Sequence, residues 1–106
     1  MKKIRNIHPG EILLEEFLTP LKISAYRLSK DIHIPQTRTS QILKGKRRIT
    51  ADTALRLSIY FGNSPKFWLG IQDDFDLEEE RTTNEKELDT IKLFNITEAK
   101  ELRIEN

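Results

Sequence analysis

The stretch from Ser24 to Gly45 constrains the fold more than any other, because it divides into two short amphipathic helices with almost no room between them. Ser24 is placed to cap the first helix, and Leu28 and Ile32 fall four apart on one face of it. His33 and Ile34 make the turn, and Pro35 stands where the first position of a second helix favours its fixed φ. In that second helix Thr39, Ile42 and Leu43 share a face, and Gly45 stops it. Gln36, Thr37, Arg38, Ser40, Gln41 and Lys44 then point elsewhere. A short helix with one dry stripe and a coat of Gln, Ser, Thr and Arg suits the major groove of DNA, where those groups match base-edge donors and acceptors.

The flanking chain supplies the rest of a helical domain. Met1 to Ile7 reads as a flexible arm, and Pro9 opens a helix with Glu11, Glu15 and Glu16 outward and Leu13, Leu14, Phe17 and Leu18 inward. Pro20 ends that helix. After Lys46-Arg47-Arg48, Thr50 is placed to cap a helix from Ala51 to about Phe61, with Ala54, Leu57, Ser58 and Phe61 inward and Gly62-Asn63 as its stop. Ser64-Pro65 starts another, with Phe67, Trp68 and Ile71 as its apolar face. The expected architecture is all-α, a five-helix domain over residues 1–77 followed by an acidic C-terminal extension over residues 78–106. In the extension Thr82-Thr83-Asn84 reads as a break, Leu88, Ile91 and Leu93 or Phe94 as one side of a short amphipathic helix, and Thr97 as the cap of a last turn holding Leu102. The region from Asp73 onward is too polar for a core of its own, so it is disordered alone or orders against a partner.

Charge divides the chain in the same place. The formal net charge is +1, yet up to Gln72 there are 13 Lys and Arg against 5 acids, and from Asp73 onward 5 against 12. A basic half of +8 and an acidic half of −7 suggest that the first meets a polyanion and the second something else, the plain alternative being two solvated surfaces. With no cysteine there is neither disulfide nor thiolate metal site, which suits a reducing cytoplasm. No run of ~18 apolar residues offers a membrane span, and the basic N-terminus lacks the apolar stretch of a signal peptide. The acidic run from Asp73 to Glu80 lacks the glycine-turned loop of calcium sites, and His8 and His33 have no metal-ligand or acid–base spacing. No catalytic residue, cofactor or metal is expected.

On these residues the chain resembles the HigA-type antitoxins, a branch of the Xre/lambda-repressor-like helix-turn-helix family. The likeness runs from about His8-Pro9-Gly10-Glu11 through Asp76-Leu77. Its most specific parts are Gly45-Lys46-Arg47, the cap Thr50-Ala51-Asp52, and the helix Ser64-Pro65-Lys66-Phe67-Trp68-Leu69 followed by Gln72. What the resemblance implies is a homodimer on a palindromic double-stranded DNA operator, repressing its own operon and binding a basic partner toxin, an mRNA endonuclease of the HigB/RelE kind. Three positions depart from the family pattern. His33 replaces the turn glycine and must tolerate a left-handed backbone, Ser29 replaces a small buried alanine, and Thr39 replaces an apolar residue and needs a bond back to the Pro35 carbonyl.

The candidate site follows. Gln36, Thr37, Ser40 and Gln41 are expected at base edges, and Arg38 at a guanine or a phosphate. Ser24, Arg27, Lys44, Lys46, Arg47 and Arg48 suit phosphates, although Arg47 or Arg48 can instead pair with Asp52. Phe67, Trp68, Phe75 and Leu77 are assigned to the dimer seam, with the core as the alternative for the first two. Leu88, Ile91 and Phe94 are assigned to the toxin. Two other functions remain open: a stand-alone Xre-type repressor, and an interaction module that neutralises a partner without binding DNA.

Overall fold

The computed structural model describes residues 5–97, which are helical with no strand among them. The first helix is one rod in three parts: α1 (Pro9–Ile12), a π-helical turn (Leu13–Leu18) and α2 (Thr19–Leu21). It therefore runs through Pro20 instead of ending there. Proline has no N–H to donate and its ring collides with the carbonyl four residues back, so the helix widens just before it. The Thr19 N–H accordingly reaches back five residues to the Leu14 carbonyl. The wide turn also changes which leucines face inward. Leu13 and Leu18, five apart, are buried, whereas Leu14, expected in the core, is 40% exposed.

The next two helices are the expected pair, α3 (Ala25–Ile32) and α4 (Gln36–Leu43). Ser24 caps α3 by accepting the Arg27 N–H at 3.0 Å. Pro35 is the N-cap of α4, one place before the expected position, with φ −62° and ψ 145°. Then come α5 (Ala51–Phe61), α6 (Pro65–Thr83) and the single turn α7 (Glu85–Leu88). Ser64 caps α6 by accepting the Lys66 N–H at 3.1 Å. Thr50 holds the N-cap of α5, but its side chain makes no cap bond; its carbonyl accepts the Ala54 N–H at 2.8 Å.

Short connections require abrupt stops. Lys22, His33, Gly45 and Gly62 close their helices in the left-handed region, with φ of 55°, 61°, 74° and 74°. After each of the four, the next N–H returns to the carbonyl five residues earlier: Ile23 to Leu18 at 2.9 Å, Ile34 to Ser29 at 3.0 Å, Lys46 to Gln41 at 2.8 Å and Asn63 to Ser58 at 3.2 Å. His33 therefore does take the backbone its position demands.

The core gathers Leu13, Leu18, Leu28, Ile32, Ile42, Ile49, Leu57 and Trp68. Trp68 is fully enclosed at 0% exposure, with Phe17 at 4.8 Å and Phe67 at 5.0 Å between ring centroids, and its indole N–H donates to Asn63 Oδ1 at 2.9 Å.

The two ends of the described chain differ from expectation. Residues 5–7 are docked, not loose: the Arg5 guanidinium pairs with both Glu11 oxygens at 3.0 Å, and Asn6 Nδ2 donates to the Phe75 carbonyl at 3.0 Å. At the other end α6 continues through Leu77 to Thr83, so the extension begins inside a helix and its acidic run is ordered that far. Once the half carrying Trp68 and Gln72 is packed, each further residue adds a helical bond without a new nucleus. The helix stops at the Thr82-Thr83-Asn84 break. No amphipathic helix follows through Ile91 and Phe94: α7 ends at Leu88, and 91–95 take no regular structure. Among the described residues nothing receives those side chains, and Ile91, Leu93 and Phe94 are 72%, 92% and 70% exposed. Leu102 and its expected turn lie outside the described residues.

Candidate nucleic-acid interface

Three contacts fix α4. On its inner side Thr39 and Ile42 are buried, and the Thr39 hydroxyl meets that of Ser29 at 2.6 Å. Ser29 gives its single proton to the Ala25 carbonyl at 2.9 Å, so the shared bond is donated by Thr39. The bond expected from Thr39 to the Pro35 carbonyl is thus replaced. The two departures from the family pattern satisfy each other. From α1, Gly10 lies against the α4 backbone so closely that a Cβ there would stand 1.8 Å from the Ile42 carbonyl oxygen. From α5, Asp52 accepts Arg38 Nη1 at 2.7 Å and Arg56 Nε at 3.0 Å, and Arg56 Nη1 also donates to the Ile32 carbonyl at 2.9 Å. Arg56, then Arg38, hold the Asp52 carboxyl below its usual range. One charged chain joins α3, α4 and α5.

That chain gives two expected residues a partner within the protein. Arg38 turns to Asp52, with a quarter of its side chain exposed. The partners of Asp52 are Arg38 and Arg56, not Arg47 or Arg48. What α4 leaves outward is Gln36, Thr37 and Gln41, with Ser40 half-buried beside them, lining one open cleft between α3 and α4. On α3 the cleft is lined by Ala25, Tyr26 and Ser29. Arg27 Nε leans on Asp31 at 3.3 Å, and the Tyr60 hydroxyl donates to the same carboxylate at 2.6 Å. Tyr60, then Arg27, lower the Asp31 carboxyl while Asp31 raises the Tyr60 phenol.

The other border is the exposed basic loop after α4. Arg47 Nη1 donates to Gln41 Oε1 at 3.0 Å, whereas Arg48 pairs with Asp76 on α6. Buried Gln72 anchors the loop: its Oε1 accepts the Ile49 N–H at 2.7 Å and its Nε2 donates to Asp76 Oδ1 at 2.9 Å. His8 completes the frame. Its Nδ1 accepts the Gly10 N–H at 2.9 Å and its ring stands edge-on to Phe75 at 4.9 Å. Burial pushes the imidazole below its ordinary range, against the pull of Asp76 and Glu11.

Sequence reasoning missed the positioning roles of Gly10, Gln72 and Asp76. Their only signals were a glycine in a helical first turn and an amide four residues after the core tryptophan. The residues assigned to a dimer seam scatter. Trp68 is sealed in the core with no surface for a partner, and Phe75 is half-buried against His8, leaving Phe67 and Leu77 exposed at 38% and 58%. The outer face of α5 adds two apolar residues not singled out beforehand, Leu55 at 53% and Ile59 at 82%.

A helix pair held this way, with polar groups outward and basic borders, defines a helix-turn-helix DNA-binding domain. The helix-turn-helix family model matches residues 14–68. Virulence-associated protein I of Dichelobacter nodosus is 51% identical over 71 residues, 67% of this chain and 66% of that protein, so the match spans just under two thirds of that relative. Antitoxin HigA-1 of Vibrio cholerae is 33% identical over 90 residues, 85% of each chain. Among solved structures, an addiction module antidote protein of a HigA family from Coxiella burnetii superposes with TM-score 0.81 at 44% identity, covering 86% of this chain and 100% of that one. The Pseudomonas aeruginosa antitoxin HigA, solved with the higBA promoter, superposes with TM-score 0.80 at 36% identity, covering 83% and 97%. The chain belongs to the Xre-like helix-turn-helix family, and its fold is that of the HigA antitoxins.

Proposed function

We propose that this chain is a DNA-binding antitoxin that represses its own operon as a homodimer and neutralises a basic mRNA endonuclease of the HigB/RelE kind. The observation that carries the reading is the outward set Gln36, Thr37, Ser40 and Gln41 on a helix fixed from three sides, because base readout needs side chains whose backbone cannot drift. In this reading α4 enters the major groove with Gln36 and Thr37 leading. Ser24, Arg27, Lys44, Lys46 and Arg47 sit on phosphates, and Arg38 and Arg48 serve as struts through Asp52 and Asp76. Two copies on half-sites about one helical turn apart supply the specificity that one small domain lacks. Their seam draws on exposed Leu55, Ile59, Phe67 and Leu77 in place of enclosed Trp68. The exposed apolar groups Leu88, Ile91 and Phe94 on an acidic strand of chain are the proposed toxin contact, since a basic partner complements both features.

Titration of the chain with its own promoter fragment and with random duplex tests the DNA half. Gln36→Ala is expected to lose about 1–3 kcal/mol on the promoter and nothing on random DNA. Equal losses on both would refute base reading. Co-expression with the adjacent reading frame tests the other half: a captured and silenced nuclease supports the antitoxin, and a promoter-binding chain that captures none is a stand-alone repressor.

A further inference from the structure

The chain has two tyrosines, and the structure uses them differently. Tyr60 spends its hydroxyl on Asp31. Tyr26, on the first turn of α3, is 58% exposed, and among the described residues neither its hydroxyl nor its ring has a partner. It stands on the wall of the cleft opposite Gln36, Thr37, Ser40 and Gln41. The cleft floor is already satisfied, because the Ser29 hydroxyl there is engaged by Ala25 and Thr39. A large ring left in water beside polar side chains is unstabilised in the free protein. The ring face gains when something apolar enters the cleft. Within the major groove the apolar groups at base-edge depth are the C5 methyls of thymine.

We infer that Tyr26 is a specificity residue, its ring packing against a thymine methyl beside the bases read by Gln36 and Thr37. The inference rests on the DNA-binding reading above and adds a second reading element to it, on α3. A ring selects for thymine by apolar contact, whereas the amides and hydroxyls of α4 select by hydrogen bonds. The two together distinguish base pairs that either alone would confuse. The contact is neutral, so it carries no share of the salt dependence that Lys44 and Lys46 supply.

The test uses the full chain and a duplex selected by the wild-type protein from a randomised pool. Each thymine of that duplex is replaced in turn by uracil, which removes one methyl and nothing else. For wild type, one position in each half-site is expected to weaken binding about fourfold per methyl, the size of burying one such group. Tyr26→Ala is expected to lose at least as much on the thymine duplex and to show no further loss at that uracil. Tyr26→Phe is expected to behave as wild type, and all variants to keep the wild-type salt slope. Selection of no sequence by the wild type would overturn the DNA-binding reading itself. A selected duplex with no uracil-sensitive position coupled to residue 26 overturns this inference alone. So does a Phe variant as weak as the Ala variant, which would assign Tyr26 to a phosphate through its hydroxyl.

Discussion

Ser29 and Thr39 show how two unfavourable residues become acceptable together. Each puts a hydroxyl into a helix interface, where an unpaired polar group costs about 1–3 kcal/mol. Here the two oxygens meet at 2.6 Å and the last proton goes to the Ala25 carbonyl at 2.9 Å, so neither group is stranded. Ser29→Ala is therefore expected to destabilise by about 1–3 kcal/mol through Thr39, and Ser29→Ala with Thr39→Val to recover most of that. Urea midpoints of the four proteins in this cycle measure the coupling, and additive losses would show that the hydroxyls act separately. Gly10 makes the same point about backbone: no side chain fits where α1 meets the Ile42 carbonyl.

At the scale of elements, the electrostatics sort the cations into struts and free charges. Arg38 is bound to Asp52 and Arg48 to Asp76, while Lys44 and Lys46 extend from the loop with no ion pair among the described residues. Lys46→Ala is expected to weaken promoter and random DNA alike and to flatten the salt slope by about one unit. Arg38→Ala is expected to leave the slope unchanged while lowering thermal stability, because it unhooks α4 from α5. Titrations at several salt concentrations separate the two. The start of α1 carries a pH dependence of its own. His8 Nδ1 must stay unprotonated to accept the Gly10 N–H, and burial holds the folded-state value below that of the unfolded chain. The unfolded state then binds more protons, so this contribution is full above about pH 6.5 and is lost as pH falls below it toward the folded-state value. His8→Asn, which caps without titrating, should remove that part of the decline, read as urea midpoints at about pH 7.5 and about pH 5.5. Asp31 and Asp52, both lowered by their partners, add stability that is lost only in the lower window below about pH 4.

For the whole molecule, no buried side chain among the described residues lies after Gln72. The described chain spans 62 × 38 × 22 Å, elongated because the far half of α6 and the segment after it carry no core residue. A cut after Thr83, where α6 ends, removes none of the side chains buried among the described residues. The shortened chain is expected to keep the thermal midpoint and promoter affinity of the full chain while failing to retain the adjacent-frame nuclease on co-purification. Retention of that nuclease would move its docking site onto the helical body.

The sequence by itself determined the helix pair, the caps at Ser24 and Ser64, the stops at Gly45 and Gly62, and the all-α class, because these depend on spacing within a few residues. It also separated the outward polar face of α4 from the Thr39 and Ile42 face, which follows from helical period alone. Only the tertiary structure decided partners. Leu14 turned outward because Pro20 forced a π turn whose five-residue reach no regular helical period anticipates. Arg38 took Asp52, 14 residues along the chain, as its partner at 2.7 Å across a helix contact. Trp68 went to the core, and Gln72 became the anchor of the basic loop, for the same reason. Which of several plausible partners a long or polar side chain takes is set by distances between helices, and those distances exist only after the helices have packed.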